Sequence, residues 1–293
     1  MREPNGWLFA VTVMLLGACI ATGGRQVRAQ ASAPLPCALD AGPARAVVAI
    51  GDGHSVTLDD GVDLRLLGIL APTARDGGPW PAARPASVEW PPSSEAQRVL
   101  EKLVGGRSVA LAFAGPHTDR YGRVVAHLFV DVDGRQIWVQ GYLVERGQAR
   151  AHPLPRHPNP CHAALVALER RARAAGLGLW SHAAYQIRPA DRPSELARYR
   201  YTFQLVRGRV ERTRTTRALV ILELANGEAP PAPAGRSHRN AFHVIWRRGA
   251  TGNLKLPDTG SLVGRNILVR GWVDEHRGPE IELVAAGQIE FED

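Results

Sequence analysis

The sequence predicts a β-rich α+β fold: a small β-barrel carrying helices, followed by a second small β-barrel-like module. Three observations predict it. Short apolar runs separated by Gly-Asp-Gly and Asp-Gly turns crowd residues 46–70, and further short apolar runs fill 203–284. Helical periodicity is confined to three segments, 94–104, 137–146 and 161–175. The composition, 45% hydrophobic and 22% charged, belongs to a globular chain and excludes disordered, collagenous and polytopic membrane proteins.

The chain opens with Arg2 and then an apolar stretch, 7–21, of a length that suits a signal-peptide core; residues 1–29 are therefore read as an export signal. Two processing routes stay open. Val27-Arg28-Ala29 before Gln30 is a small-x-small cleavage site, and Leu16-Gly17-Ala18-Cys19 has the form of a bacterial lipoprotein box, with Cys19 lipidated. No later run approaches the ~20 apolar residues of a membrane span. The expected location is therefore periplasmic or secreted, with a lipid anchor on Cys19 as the variant. In such an oxidising compartment the remaining pair, Cys37 and Cys161, is expected to form a disulfide. There is no CxxC or Cys/His cluster to suggest structural zinc.

Residues 46–50, 55–58 and 62–70 read as three strands, joined by Gly51-Asp52-Gly53 and Asp59-Asp60-Gly61. The Pro-rich stretch 72–92 reads as a loop. Ser94-Glu95-Ala96-Gln97 has capping-box form and opens a helix with Val99, Leu100, Leu103 and Val104 inward. Strands are expected at 109–113 and 124–132, around a polar loop at 116–122. Helices follow at 137–146 and 161–175, stopped by Gly147 and Gly176. Residues 183–200 are polar and Arg-rich and read as a linker. Beyond it, 203–212, 218–224, 242–246, 266–273 and 281–284 are five strand candidates for an all-β module over 201–293, possible in the five-stranded OB form. The Pro/Ala/Gly-rich insert 226–240 interrupts it. No sequence repeat relates the two halves.

The chain carries a net charge of +8, and Lys102 and Lys255 are its only lysines. The positive charge is thus almost entirely guanidinium, which grips phosphate at two points.

Four segments carry a more specific signal: Asp52-Gly53-His54-Ser55-Val56; Leu64-Arg65-Leu66-Leu67-Gly68-Ile69-Leu70-Ala71-Pro72; Thr118-Asp119-Arg120-Tyr121-Gly122-Arg123; and Leu177-Gly178-Leu179-Trp180-Ser181. In this order and spacing they resemble the staphylococcal-nuclease-like (thermonuclease) family over about residues 44–182 of a domain placed at 37–182. The resemblance implies a five-stranded OB-type barrel with three helices and a calcium-dependent phosphodiesterase of DNA and RNA. In that chemistry a hard cation held by carboxylates neutralises the phosphate, a glutamate orients water, and two arginines clamp the phosphate. By resemblance the arginines fall on Arg65 and Arg123, and nucleotide contacts on Arg120 and Tyr121.

The carboxylates depart from the family pattern. Its metal-binding aspartates fall on His54 and Leu70, and its glutamate on Thr73. Leucine offers no donor, and imidazole is a poor ligand for a hard cation. The expectation is no retained calcium site, no other cofactor, and a weak or inactive nuclease that still binds nucleic acid or a phosphorylated ligand. Asp76 and Glu89, in the Pro-rich loop, are the carboxylates placed to substitute. The structural reading of Arg65 is an ion pair with Asp119, and of His127 a core or outward strand position. The alternative function is an envelope-associated interaction protein whose C-terminal module, with Trp246 or Trp272 exposed, docks a cell-envelope partner without a role in nucleic acid.

Overall fold

In the computed structural model, residues 37–73, 76, 93–225, 241–249, 258–276 and 278–292 are described. The export segment with Cys19, Glu89 and most of its loop, and the 226–240 insert lie outside them. Among the described residues no helix is long and apolar enough to cross a membrane.

The first barrel is built from β1 (Asp40–Asp52), β2 (Ser55–Leu58), β3 (Asp63–Leu66), β5 (Ser108–Phe113) and β6 (Val124–Val132), with β4 (Ile69–Leu70) leaving it after β3. The strand order is β3-β2-β1-β5-β6, and a parallel β3–β6 pairing closes the ring. β1 can serve two neighbours because its pairing registers with both β2 and β5 shift along its length, bending it so that its first half pairs β5 and its second half β2. Around the barrel pack α1 (Ser94–Val104), then β7 (Arg135–Trp138), α2 (Val139–Glu145), β8 (Arg150–Ala151) and α3 (His162–Ala174). Leu64, Leu66, Leu100, Leu128, Leu143 and Leu165 are fully buried in one shared core.

Several boundaries differ from expectation for identifiable reasons. The third strand does not run on to residue 70. Gly68 sits at φ +85°, where a Cβ would fall 2.0 Å from Asn159 Nδ2, so the chain turns there and β4 pairs instead with β8. The capping box at Ser94 is not used: Ser93 is the N-cap of α1, without a side-chain cap bond. The helix expected from 137 starts at Val139, because Ile137 and Trp138 still pair with β6 and Trp138 Nε1 donates to His127 Nδ1 at 3.1 Å. His127 takes the core position, fully buried, with Nε2 3.1 Å from Asn159 Oδ1.

The expected linker is folded. A turn of 3-10 helix at Ala183–Tyr185, β9 (Arg188–Pro189) and α4 (Pro193–Leu196) lead into the second module, with β9 pairing along β10 (Phe203–Thr215). Its Arg-rich polarity hid Ala184, Tyr185, Ala190, Leu196 and Tyr199, all of which are buried. The second barrel then comprises β10, β11 (Leu219–Ala225), β12 (Phe242–Arg247), β13 (Asn266–Glu275) and β14 (Pro279–Leu283), with β15 (Ile289–Glu292) added along β13. β15 was absent from the sequence expectation. The order β10-β11-β12-β14-β13, closed by β13–β10, repeats that of the first barrel, and again only the third and fifth strands run parallel. Both modules are therefore five-stranded barrels of OB order, a likeness invisible at the level of residues.

The two barrels share a core. Leu70, Leu179, Trp180, Tyr185, Phe203, Leu205 and Leu268 form one buried cluster between them. β13 has two working faces: Ile267, Val269 and Val273 fill the second barrel, while Leu268 and Arg270 turn toward the first. Cys37 and Cys161 are joined by a disulfide that ties the residues just before β1 to the start of α3.

Candidate functional site

The β1–β2 turn sets the floor of the site. Asp52 Oδ1 accepts from His54 N and from Ser55 Oγ, each at 2.8 Å, an Asx-type turn that makes Asp52 structural. At Gly53 a Cβ would fall 2.6 Å from Ala96 and 2.7 Å from Ala71, so glycine lets the turn press against α1. His54 is thereby buried, with Nδ1 3.2 Å from Asp52 Oδ1. Burial pushes its pKa down to about 4; Asp52 opposes this, and Arg65 and Arg123 add to it. His54 is a neutral imidazole at neutral pH.

Arg65 lies mid-strand in β3, paired across to Ser55 and beside Val125 of β6. That parallel pairing brings Arg123, just before β6, close enough to Arg65 for the two charges to repel. Arg123 Nε and Nη2 donate to Asp119 Oδ2 at 2.9 and 2.7 Å, and Asp119 Oδ1 accepts from the backbone N–H of Tyr121 and Arg123. Asp119 thus shapes the loop and holds Arg123, in place of the ion pair with Arg65 considered from sequence. Among the described residues no hydrogen bond or ion pair engages the Arg65 guanidinium. Burial lowers its pKa first and Arg123 next, while Asp119 and Asp52 pull the other way. Tyr121 is 67% exposed, with Arg120 4.7 Å and Arg123 5.4 Å over its ring. The four residues marked by resemblance, Arg65, Arg120, Tyr121 and Arg123, line one groove.

Of the positions that carry carboxylates in the resembled family, His54 offers nitrogen and Leu70 is buried in the inter-barrel core. Thr73 Oγ1 donates to Asp76 Oδ1 at 2.8 Å. Asp76, the considered substitute, is buried and engaged on both oxygens: Thr73 N and Oγ1 at Oδ1, Arg150 Nη2 and Tyr185 Oη at Oδ2. Burial raises the Tyr185 pKa, so its phenol keeps its proton to donate there. Among the described residues, no three His, Cys, Asp or Glu side chains form a group able to hold a metal ion.

The groove has a volume of about 960 Å³ and a second wall that the sequence did not reveal. The first barrel contributes the arginines and residues 152–157; the second contributes Trp272, Asp274, Glu280 and Glu282. Trp272 is 49% exposed and meets Phe203 edge-on at 5.9 Å, and Phe203 in turn meets His152 edge-on at 5.0 Å. A β-barrel sequence gives no local signal for which outward residues will face another barrel, so only the exposure of Trp272 had been anticipated.

Buried neutral histidines make folding sensitive to acid. His54 and His127 both have pKa values lowered to about 4 by burial, against 6.5 when unfolded. Below pH 6.5 the unfolded chain binds protons that the folded one refuses. Their contribution is therefore complete above pH 6.5 and is lost as pH falls toward 4. We expect each to cost about 2 kcal/mol of stability by pH 5 relative to pH 7. Urea midpoints across this range check it: a flat profile contradicts the burial of neutral imidazoles, and His54→Asn should remove part of the slope.

Residues 63–182 match the family model of the staphylococcal nuclease homologues, inside the span marked by the motif resemblance. No curated protein matches the chain significantly. The parallel β3–β6 pair that closes the first barrel, Arg65 on β3 and the Asp119–Arg123 loop fall inside the matched segment, while β1 and β2 of the same barrel precede it; the chain therefore carries a staphylococcal-nuclease-homologue domain.

Proposed function

We propose that this chain is an exported, thermonuclease-like binding protein. In this reading Arg65 and Arg123 clamp a phosphate of nucleic acid or another phosphorylated ligand, Arg120 and Tyr121 contact the attached nucleotide, and calcium-dependent hydrolysis is lost or severely impaired. The observation that carries the reading is the Arg65 guanidinium, which stands beside Arg123 in the groove with no hydrogen bond or ion pair among the described residues. A half-buried guanidinium with no hydrogen-bonded counterion is open to an anion.

The residues present do not fit calcium. Six to eight oxygen ligands are usual for it, and the positions in question supply an imidazole nitrogen, a leucine and a hydroxyl that donates to Asp76. Asp76 spends both oxygens on protein donors, and Asp52 Oδ1 holds its own turn. Without a metal and a water-orienting carboxylate, hydrolysis by the family route loses several powers of ten. Export is supported by the apolar N-terminal run and by the Cys37–Cys161 disulfide.

The test uses the full chain on single-stranded DNA, RNA and mononucleotides, with calcium or EDTA. The expected outcome is no calcium-dependent cleavage, with binding that weakens steeply with salt and drops about tenfold in Arg65→Ala. Calcium-dependent cleavage abolished by Arg65→Ala would overturn the proposal. Absence of both cleavage and binding would favour the envelope-partner alternative.

A further inference from the structure

The groove has walls of opposite charge. One carries Arg65, Arg120 and Arg123; the other carries Asp274, Glu280 and Glu282, with Trp272 on the same β13–β14 surface. The strand register explains why these four belong together. Val273 pairs with Ile281 and both are buried in the second barrel, so their neighbours alternate to the opposite face, toward the groove. Gly271 lets the two strands close tightly, since a Cβ there would fall 2.5 Å from Ile281 Cγ2. The carboxylates are only partly occupied. Glu280 accepts from His276 Nδ1 at 2.9 Å and Glu282 pairs with Arg247 Nε at 3.0 Å, each leaving acceptor sites open. A second unmet group lines the same space: His152 keeps a buried Nδ1 with no hydrogen-bond partner among the described residues.

A through-running nucleic-acid strand suits such a groove poorly. Each phosphate passing the second wall would meet three carboxylates, whereas barrels that hold long single strands line their grooves with positive charge. A ligand with one phosphate and one hydrogen-bond-donating ring fits both walls. Trp272, half-exposed and backed by Phe203, offers a stacking surface; carboxylates accept hydrogen bonds from the exocyclic amino group of a base such as cytosine.

We propose that the second barrel is a base-recognition wall, and that the groove takes a single nucleotide, with its phosphate on Arg65 and Arg123, its base on Trp272, and the amino edge of that base on Glu280 and Glu282. This rests on the phosphate-clamp reading above. It gives the C-terminal module a role in choosing the ligand, separate from the clamp that holds it.

Titration calorimetry with cytidine 5′-monophosphate, uridine 5′-monophosphate, ribose 5-phosphate and a 20-nucleotide single strand separates the two ideas. We expect the cytidine nucleotide to bind at least about fivefold more tightly than the uridine one. Glu280→Gln with Glu282→Gln should erase that preference, and Trp272→Ala should bring both nucleotides down to the level of ribose 5-phosphate. The 20-mer should bind no more tightly than the single nucleotide. Arg65→Ala should weaken every ligand, ribose 5-phosphate included. If Arg65→Ala weakens none of them, the clamp itself fails. If it weakens all, but the bases are not distinguished and the 280/282 and 272 variants change nothing, the base-recognition wall fails while the clamp stands. A 20-mer that binds more tightly than the nucleotide and ignores the 280/282 pair overturns the wall in the same way.

Discussion

Replacing Arg270 by methionine is expected to lower the free energy of unfolding by about 3–5 kcal/mol, the usual cost of breaking a buried charge pair from one side. Arg270 is fully buried on β13, at the contact between the barrels. Its Nη1 donates to Ala151 O at 2.9 Å and to Glu169 Oε1 at 3.2 Å, while Nη2 meets Glu169 and Glu290. Burial works against its charge, but Glu169 and Glu290 outweigh burial and hold its pKa above the ordinary value. Removing the guanidinium leaves the fully buried Glu169 on α3 with only the Ala151 N–H at 3.0 Å and Arg173 at 3.7 Å, and leaves the Ala151 carbonyl without its donor. Arg170→Ala is the control: it breaks an exposed pair with the same Glu290 and should cost less than about 1 kcal/mol. Adding Glu169→Gln and Glu290→Gln to the methionine variant should recover part of the loss. A fall in stability below 1 kcal/mol for Arg270→Met alone would mean that the barrels are not locked through this residue. The consequence reaches function, because the groove exists only while the β13–β14 surface is held against the arginine loop.

That lock illustrates what could be read in the sequence and what could not. The alternation of Ile267, Val269 and Val273 against Leu268, Arg270 and Trp272 marks a strand, but periodicity treats Arg270 as an outward, solvated residue. Its burial depends on Glu169, 101 residues earlier, and no local pattern encodes such a meeting. The same holds for Asp76, whose partners Arg150 and Tyr185 lie 74 and 109 residues away. Elements set by nearest neighbours were legible: the Asp52 and Asp60 turns, the three helical segments, and the positions of the five strands of each barrel, although β1 starts at Asp40 rather than at 46 and β3 stops at Leu66 rather than at 70. Arg65, Arg120, Tyr121 and Arg123 were legible because they lie within short motifs, and the structure brings them to one groove. Its second wall was hidden, since β13 and β14 reach it through the docking of two whole barrels. The common strand order of those barrels was hidden for a related reason: topology is set by which edges pair, and different apolar residues can fill the same ring.

Reducing the Cys37–Cys161 bond, or replacing both cysteines by serine, should cost about 4 kcal/mol, because the bond spans 124 residues and closure of a long loop restricts the unfolded chain most. The native side of the balance points the same way. Cys161 is fully buried at the N-cap of α3, and its backbone N–H donates to Asn159 Oδ1 at 3.0 Å. Asn159 also receives His127, so the disulfide anchors the turn that fixes a buried histidine of the first barrel. α3 in turn carries Glu169, which holds Arg270 of the second. Loss of the bond should therefore destabilise the inter-barrel contact along with the first barrel, and the two should unfold together in one transition. The measurement is urea unfolding of the oxidised protein, of the same protein in dithiothreitol and of the double serine variant, followed both by tryptophan fluorescence and by nucleotide binding. Coincident transitions shifted by several kcal/mol are the expected result. An unshifted midpoint would show that the cross-link adds nothing to folding. A binding transition that precedes the fluorescence transition would show that the groove comes apart before the barrels do.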